Sequence, residues 1–212
     1  MTETLQIARL PARIAVAMTT LIVATWAAQG APQPIAVSAH SSTAAENCWP
    51  IDGGKVAGDN ATRVCRGKAN LVVLINKGDA RETVSVGHNR VEAAKEPAAQ
   101  SSFGPFNTAL RSVEWRIAGG NPFAIIQRWR IGQQDGHQTV GSTADPKPLL
   151  VVTRLPPGAV CPVAYVDAAA NPNADELARQ AADEIARDFK CGTDQPKVIG
   201  ASGRTAELAA KR

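Results

Sequence analysis

Apolar positions between residues 71 and 192 recur with two periods, and each period names an element. Leu71 to Ile75 is apolar throughout and predicts a central strand, while Glu82 to Val86 alternates weakly. Ser112 to Ala118 alternates with Val113, Trp115 and Ile117 on one face. Its partner Phe123 to Ile131 carries Phe123, Ile125, Trp129 and Ile131 in phase across a Gly119-Gly120-Asn121-Pro122 connection. A longer loop, 132–147, precedes Leu149 to Leu155 and Val160 to Asp167, a second hairpin across Pro156-Pro157-Gly158-Ala159. Four consecutive strands joined this way predict an antiparallel meander.

The period then changes to that of a helix. Ala174, Leu177, Ala178, Ala181, Ala182, Ile185 and Phe189 form one apolar stripe, small enough to approach a sheet closely. Asn173 is placed to cap the helix with Glu176 three positions on, and Gly192 to stop it. Asp175–Arg179 and Asp183–Arg187 are i,i+4 pairs on its outer side. The expected fold is therefore α+β: an antiparallel β meander with a C-terminal amphipathic helix, 173–190, packed on one face. Residues 88–102 read as a loop with one helical turn, and 103–107 as a turn with buried aromatics. Lys197–Ile199 is strand-like and Arg204–Lys211 a weak helix within a C-terminal tail, 193–212.

The N-terminal pattern is different. Arg9 and Arg13 precede Ile14 to Ala28, about 15 residues without a charge, and small residues follow. This is the layout of a secretory signal peptide, and Ala28-Gln29-Gly30 and Val37-Ser38-Ala39 both fit a cleavage site. The apolar run is short for a membrane span of roughly 20 residues. An uncleaved anchor is the rival reading, since no charge occurs between Arg13 and Glu46, although Pro32 and Pro34 interrupt a continuous helix. The expected organisation is a leader or anchor over 1–39, a flexible stretch over 40–47, and a single α+β domain over 48–192.

Cysteine usage agrees with export. Cys48, Cys65, Cys161 and Cys191 all follow the leader, and an even count in an oxidising compartment reads as disulfides. Three pairings are open. Strand out from Cys161 and helix back to Cys191 cover similar lengths, about 23 and 27 Å, which returns the two sulfurs to one end. Cys48 and Cys65 bracket a Gly- and Asp-rich loop and pair by default. With no C-x-x-C, neither zinc nor thiol-redox chemistry is indicated. The expected localisation is periplasmic or secreted.

The charge balance is mild. The 212 residues carry a net +4, and without residues 1–30 there remain 21 basic and 18 acidic residues. No polybasic block or interleaved aromatic pattern points to nucleic acid. Asn60-Ala61-Thr62 is a glycosylation sequon without meaning in a bacterial chain. No nucleophile motif, phosphate loop or cofactor fingerprint is present, and His40, His88 and His137 fall in unrelated loops without metal spacing. No cofactor or metal is expected. Glu114 and Asp167 could meet across the sheet as paired carboxylates, which would suit a cell-envelope hydrolase. Arg116, Arg128, Arg130 and Arg154 share the parity opposite to their strands' large hydrophobes and should gather on one side with Glu114. Their planar guanidinium groups suit carboxylate or phosphate recognition, and such a cluster should attract counter-charge. They equally suit a solvated face laced with cross-strand ion pairs.

Residues 103–130 and 149–192 resemble a group of exported proteins of alphaproteobacteria with no assigned function. The resemblance is carried by Glu114-Trp115-Arg116, Pro122-Phe123-Ala124, Arg128-Trp129, Ala164-Tyr165-Val166-Asp167 and Asn171-Pro172-Asn173-Ala174 with Glu176-Leu177-Ala178-Arg179. It implies a periplasmic or secreted setting and no activity. The expected function is a non-enzymatic binding or interaction module for an envelope component or anionic ligand. The alternatives are the hydrolase and a structural envelope protein held by its N-terminal anchor, the only case that involves a membrane.

Overall fold

The computed structural model describes residues 34–51, 62–78, 81–104, 106–132 and 147–210. Residues 1–33 of the expected leader or anchor, the Asp52-Gly53-Gly54-Lys55 stretch, Asn60, most of the 132–147 loop and His137 lie outside the described residues. The content is mixed α+β, mostly strand, in two sheets, with two disulfides.

The larger sheet has six strands. β1 (Ala36–Ser42) lies at one edge beside β6 (Phe106–Ala118), then come β7 (Asn121–Gly132), β8 (Lys147–Arg154), β9 (Pro162–Asp167) and β10 (Lys197–Val198). The first five pair antiparallel, and β10 runs parallel to β9. The smaller sheet is an antiparallel succession of β2 (Cys48–Pro50), β3 (Arg63–Arg66), β4 (Val72–Gly78) and β5 (Arg81–Gly87). Two side chains tie the sheets edge to edge. The Asn107 amide oxygen accepts the Glu82 N–H at 2.8 Å, and the buried Glu82 carboxylate accepts the Ala109 N–H at 2.8 Å.

The six-stranded sheet is covered on both faces, where one covered face was expected. One face carries Ala124, Ile126, Leu150, Val152, Ala164 and Val166 against the alanine stripe of α2 (Ala174–Ile185). The other carries Trp115, Ile125, Trp129, Leu149, Val151 and Tyr165 against the inner side of the small sheet and α3 (Arg204–Ala210). Phe103 sits there edge-on to Trp129 and Tyr165, with centroids 4.9 and 5.7 Å away. Burying side chains of this size, at roughly 1.5–3 kcal/mol each, supplies the main drive to fold.

Several expectations change. Residues 40–47, expected to be loose, complete β1 and then form a short 3-10 turn, Ala45–Asn47. The tail 193–212 contributes β10 and α3, whose Thr205, Ala206 and Ala209 are buried. Residues 88–102 hold α1 (Arg90–Lys95), capped by Asn89, which accepts the Glu92 N–H at 3.0 Å. Asn173 makes no side-chain cap to α2, and that helix ends at Ile185 rather than 190. Phe106 is 38 % exposed, so of the turn's two aromatics only Phe103 is buried. A register shift between Arg116 and Ile117 leaves Phe123 on the α2 face, out of phase with Ile125. A bulge inserts one residue, and alternation then flips the side chain.

The bridges are Cys48–Cys65, between paired residues of β2 and β3, and Cys161–Cys191, between the start of β9 and the turn after α2. On the chain-entropy model, closing loops of 17 and 30 residues stabilises by about 3 and about 3–4 kcal/mol. Two disulfides point to an oxidising compartment.

Candidate functional site

The arginine-bearing strands bring most of the expected residues to the α2 face, and α2 answers them with charges of its own. Asp175, Arg179 and Asp183 stand i,i+4 along the helix and so form one row. The sheet opposes that row with the opposite signs. Arg128 donates to Asp175 at 2.7 Å. Arg179 donates to the two Glu114 oxygens at 2.6 and 3.3 Å. Arg116 grips Asp183 with two bonds, 2.9 and 2.6 Å. Ser38 of β1 joins the last two, accepting from Arg116 at 2.6 Å and donating to Glu114 at 2.5 Å. The outward i,i+4 pairs expected on α2 therefore give way to pairs across the helix–sheet interface. Arg187 stacks instead over the Phe123 ring, 3.8 Å from its centroid.

Burial separates these contacts. The Arg116 and Glu114 side chains are only 8 % and 10 % exposed, while Arg128 and Asp175 are 32 % and 55 % exposed. Burial pushes the Glu114 carboxyl up, but the Arg179 and Ser38 hydrogen bonds and the Arg179 charge outweigh it, so Glu114 titrates below the ordinary glutamate range. The Arg179 guanidinium is raised in return, chiefly by its bond to Glu114.

Arg154 has a different task. It donates to the Ala186 carbonyl at 3.2 Å, just past the end of α2, and to the Ala159 and Pro157 carbonyls at 3.0 and 2.8 Å. A cation there complements the negative end of the helix dipole. Arg130 is exposed and has no partner among the described residues. Two of the four arginines thus take carboxylate counter-charge from α2, and Arg154 is held by backbone carbonyls.

Glu114 and Asp167 do not meet. Glu114 faces α2, whereas Asp167 shares the face of Tyr165 and reaches α3, with β7 and β8 between the two strands. Asp167 is 2 % exposed and accepts four donors: the Ala169 and Ala170 N–H groups at 2.9 and 3.1 Å, the Thr205 N–H at 3.1 Å, and the Thr205 hydroxyl. Burial raises its pKa, and these bonds more than reverse the effect, leaving it low. It is a fully used structural acceptor that docks α3. Its fit is tight, because a Cβ on Gly203 would strike the carboxylate.

A second basic surface lies on the outer side of the small sheet. Trp49, Val64 and Leu74 share one row there across β2, β3 and β4. Helix α1 lies over the β4–β5 side of this face, where Gly87 permits close approach. A Cβ on Gly87 would lie 2.6 Å from the Ala93 nitrogen. Between α1 and β4 lies a groove of about 370 Å³ lined by the apolar Ile51, Leu74, Val91 and Ala94 and by Asn76, Arg90 and Lys95. Trp49 and Val91 remain 45 % and 53 % exposed. Arg66 lies over the Trp49 ring, 5.1 Å from its centroid. Arg90 and Lys95 make no ion pair or hydrogen bond among the described residues. The sequence left one signal here: Val91 and Ala94, three apart, put an apolar strip between two cations on a short helix.

No group of His, Cys, Asp and Glu suited to a metal ion occurs among the described residues, and none of their helices is long and apolar enough to cross a membrane. Comparison with protein-family models, curated proteins and solved structures found no match to this chain.

Proposed function

We propose that the chain is an exported, periplasmic binding module that seats a small anionic amphiphile in the groove between β4 and α1. The observation that carries the reading is that Arg90 and Lys95, which have no ion-pair or hydrogen-bond partner among the described residues, stand beside the apolar Leu74, Ile51 and Val91. A groove of about 370 Å³ lies within the size range of small-molecule sites. The apolar residues would take a short hydrocarbon body and the cations its head group. The leader pattern, both disulfides and the resemblance to exported alphaproteobacterial proteins support the compartment. The hydrolase reading loses its support, because its two carboxylates occupy opposite faces and are saturated by other partners.

Calorimetric titration with decanoate and with decanol tests this. Saturable decanoate binding that weakens as salt screens the rim charges, with weaker decanol binding, is the expected result. Equal affinity for both, or no saturable binding of decanoate, would overturn it.

A further inference from the structure

The two small-residue sites behind the apolar leader differ in what their use would do to the fold. Cutting after Ala39 would remove Ala36 to Ala39, more than half of β1. Those residues pair with Ala118, Ile117, Arg116 and Trp115 along the edge of β6. The cut would also delete the Ser38 hydroxyl, which stands between the buried Arg116 and Glu114 side chains at 2.6 and 2.5 Å. The Ala36 carbonyl, which accepts from Arg116 at 3.3 Å, would go too. Only His40, Ser41 and Ser42 would remain of the strand. Ser41 holds the indole N–H of the fully buried Trp115 at 2.8 Å, so its anchorage matters to the core. The loss is of ordered pairing along β6 together with the hydrogen bonds that hold the Arg116 and Glu114 side chains in place.

We infer that the leader is removed upstream of Pro34, at the Ala28-Gln29-Gly30 site, and that β1 belongs whole to the mature protein. The inference rests on the export reading above. The leader's own layout agrees. Gly30 stands two residues past the apolar run ending at Ala28, whereas Ala39 stands well beyond it with Pro32 and Pro34 between. Val37-Ser38-Ala39 resembles a cleavage site because this largely exposed edge strand also uses small residues.

Intact-mass measurement and N-terminal sequencing of the full-length gene product, recovered from the periplasm, decide the matter. A first residue between Gln29 and Pro34 is expected. A first residue of His40 would overturn the inference while leaving export intact. Met1 retained on an exported, oxidised protein would overturn it in favour of an anchor. Reduced, unprocessed protein found only in the cytosol would instead sink the export reading. Val37→Glu gives an independent check, since Val37 is 56 % exposed and a charge there spoils the downstream site without burying anything. Processing of that variant at the same residue as the parent is expected. Accumulation of its precursor would show that the downstream site is the one used.

Discussion

Two basic surfaces of this protein differ in who supplies the counter-charge. On the large sheet, Arg116 and Arg128 are met by Asp183 and Asp175 of α2, and Arg154 by backbone carbonyls. On the small sheet, Arg90 and Lys95 flank an apolar groove and meet no carboxylate among the described residues. A count of arginines on a strand face favours the first surface as a ligand site. Their partners make it scaffold and turn attention to the second. Clustered cations need an anion, and an adjacent helix can provide it as readily as a ligand.

If the first surface is scaffold, breaking it should unfold the protein before it affects anything else. Arg116→Ala leaves Asp183 and Ser38 without their donor. Loss of a buried pair costs about 3–5 kcal/mol, and because Asp183 is one-third exposed, about 2–3 kcal/mol is expected, read as a fall in the urea midpoint. A change under ~1 kcal/mol would contradict the scaffold role. Gly203→Ala applies a similar stress to the other face. Its Cβ displaces the Asp167 carboxylate from α3, and such overpacking should cost about 1–3 kcal/mol.

Acid should act through the same two carboxylates. Both Glu114 and Asp167 have folded-state pKa values below their unfolded ones, ordinarily ~4.3 and ~3.9. Their contribution is complete above those unfolded values and is lost as pH falls toward the lowered folded ones. Denaturation midpoints should hold between pH 7 and about 5 and drop below it, with a shallower drop in Glu114→Gln. At the mild end, Arg128→Ala removes a half-exposed pair and should cost less than about 1 kcal/mol. Arg90→Ala should stay within about 0.5 kcal/mol, because it removes no ion pair or hydrogen bond among the described residues.

The strands that alternate were legible in the sequence because a half-buried sheet imposes a period of two, as in Val113-Trp115-Ile117. The 161–191 bridge was legible because strand length and helix length are fixed by rise per residue, and they close on each other. β1 was not, since Ala36–Ser42 is small and polar and falls within the leader-like pattern of residues 1–39, so nothing in its pattern separates strand from cleavage region. The partners of Arg116 and Arg128 were hidden as well. Asp175 and Asp183 each had a favourable local partner four residues on, and the direction in which α2 crosses the sheet set the outcome. The groove depends on which side of the small sheet α1 leaves open, a tertiary fact without a local pattern.

The most direct measurement compares decanoate binding by two double variants at physiological salt. Arg90→Ala with Lys95→Ala should abolish saturable binding while leaving the urea midpoint unchanged. Arg128→Ala with Arg130→Ala should bind as the parent does. Retained binding in the first variant together with lost binding in the second would place the ligand on the α2 face and contradict the account.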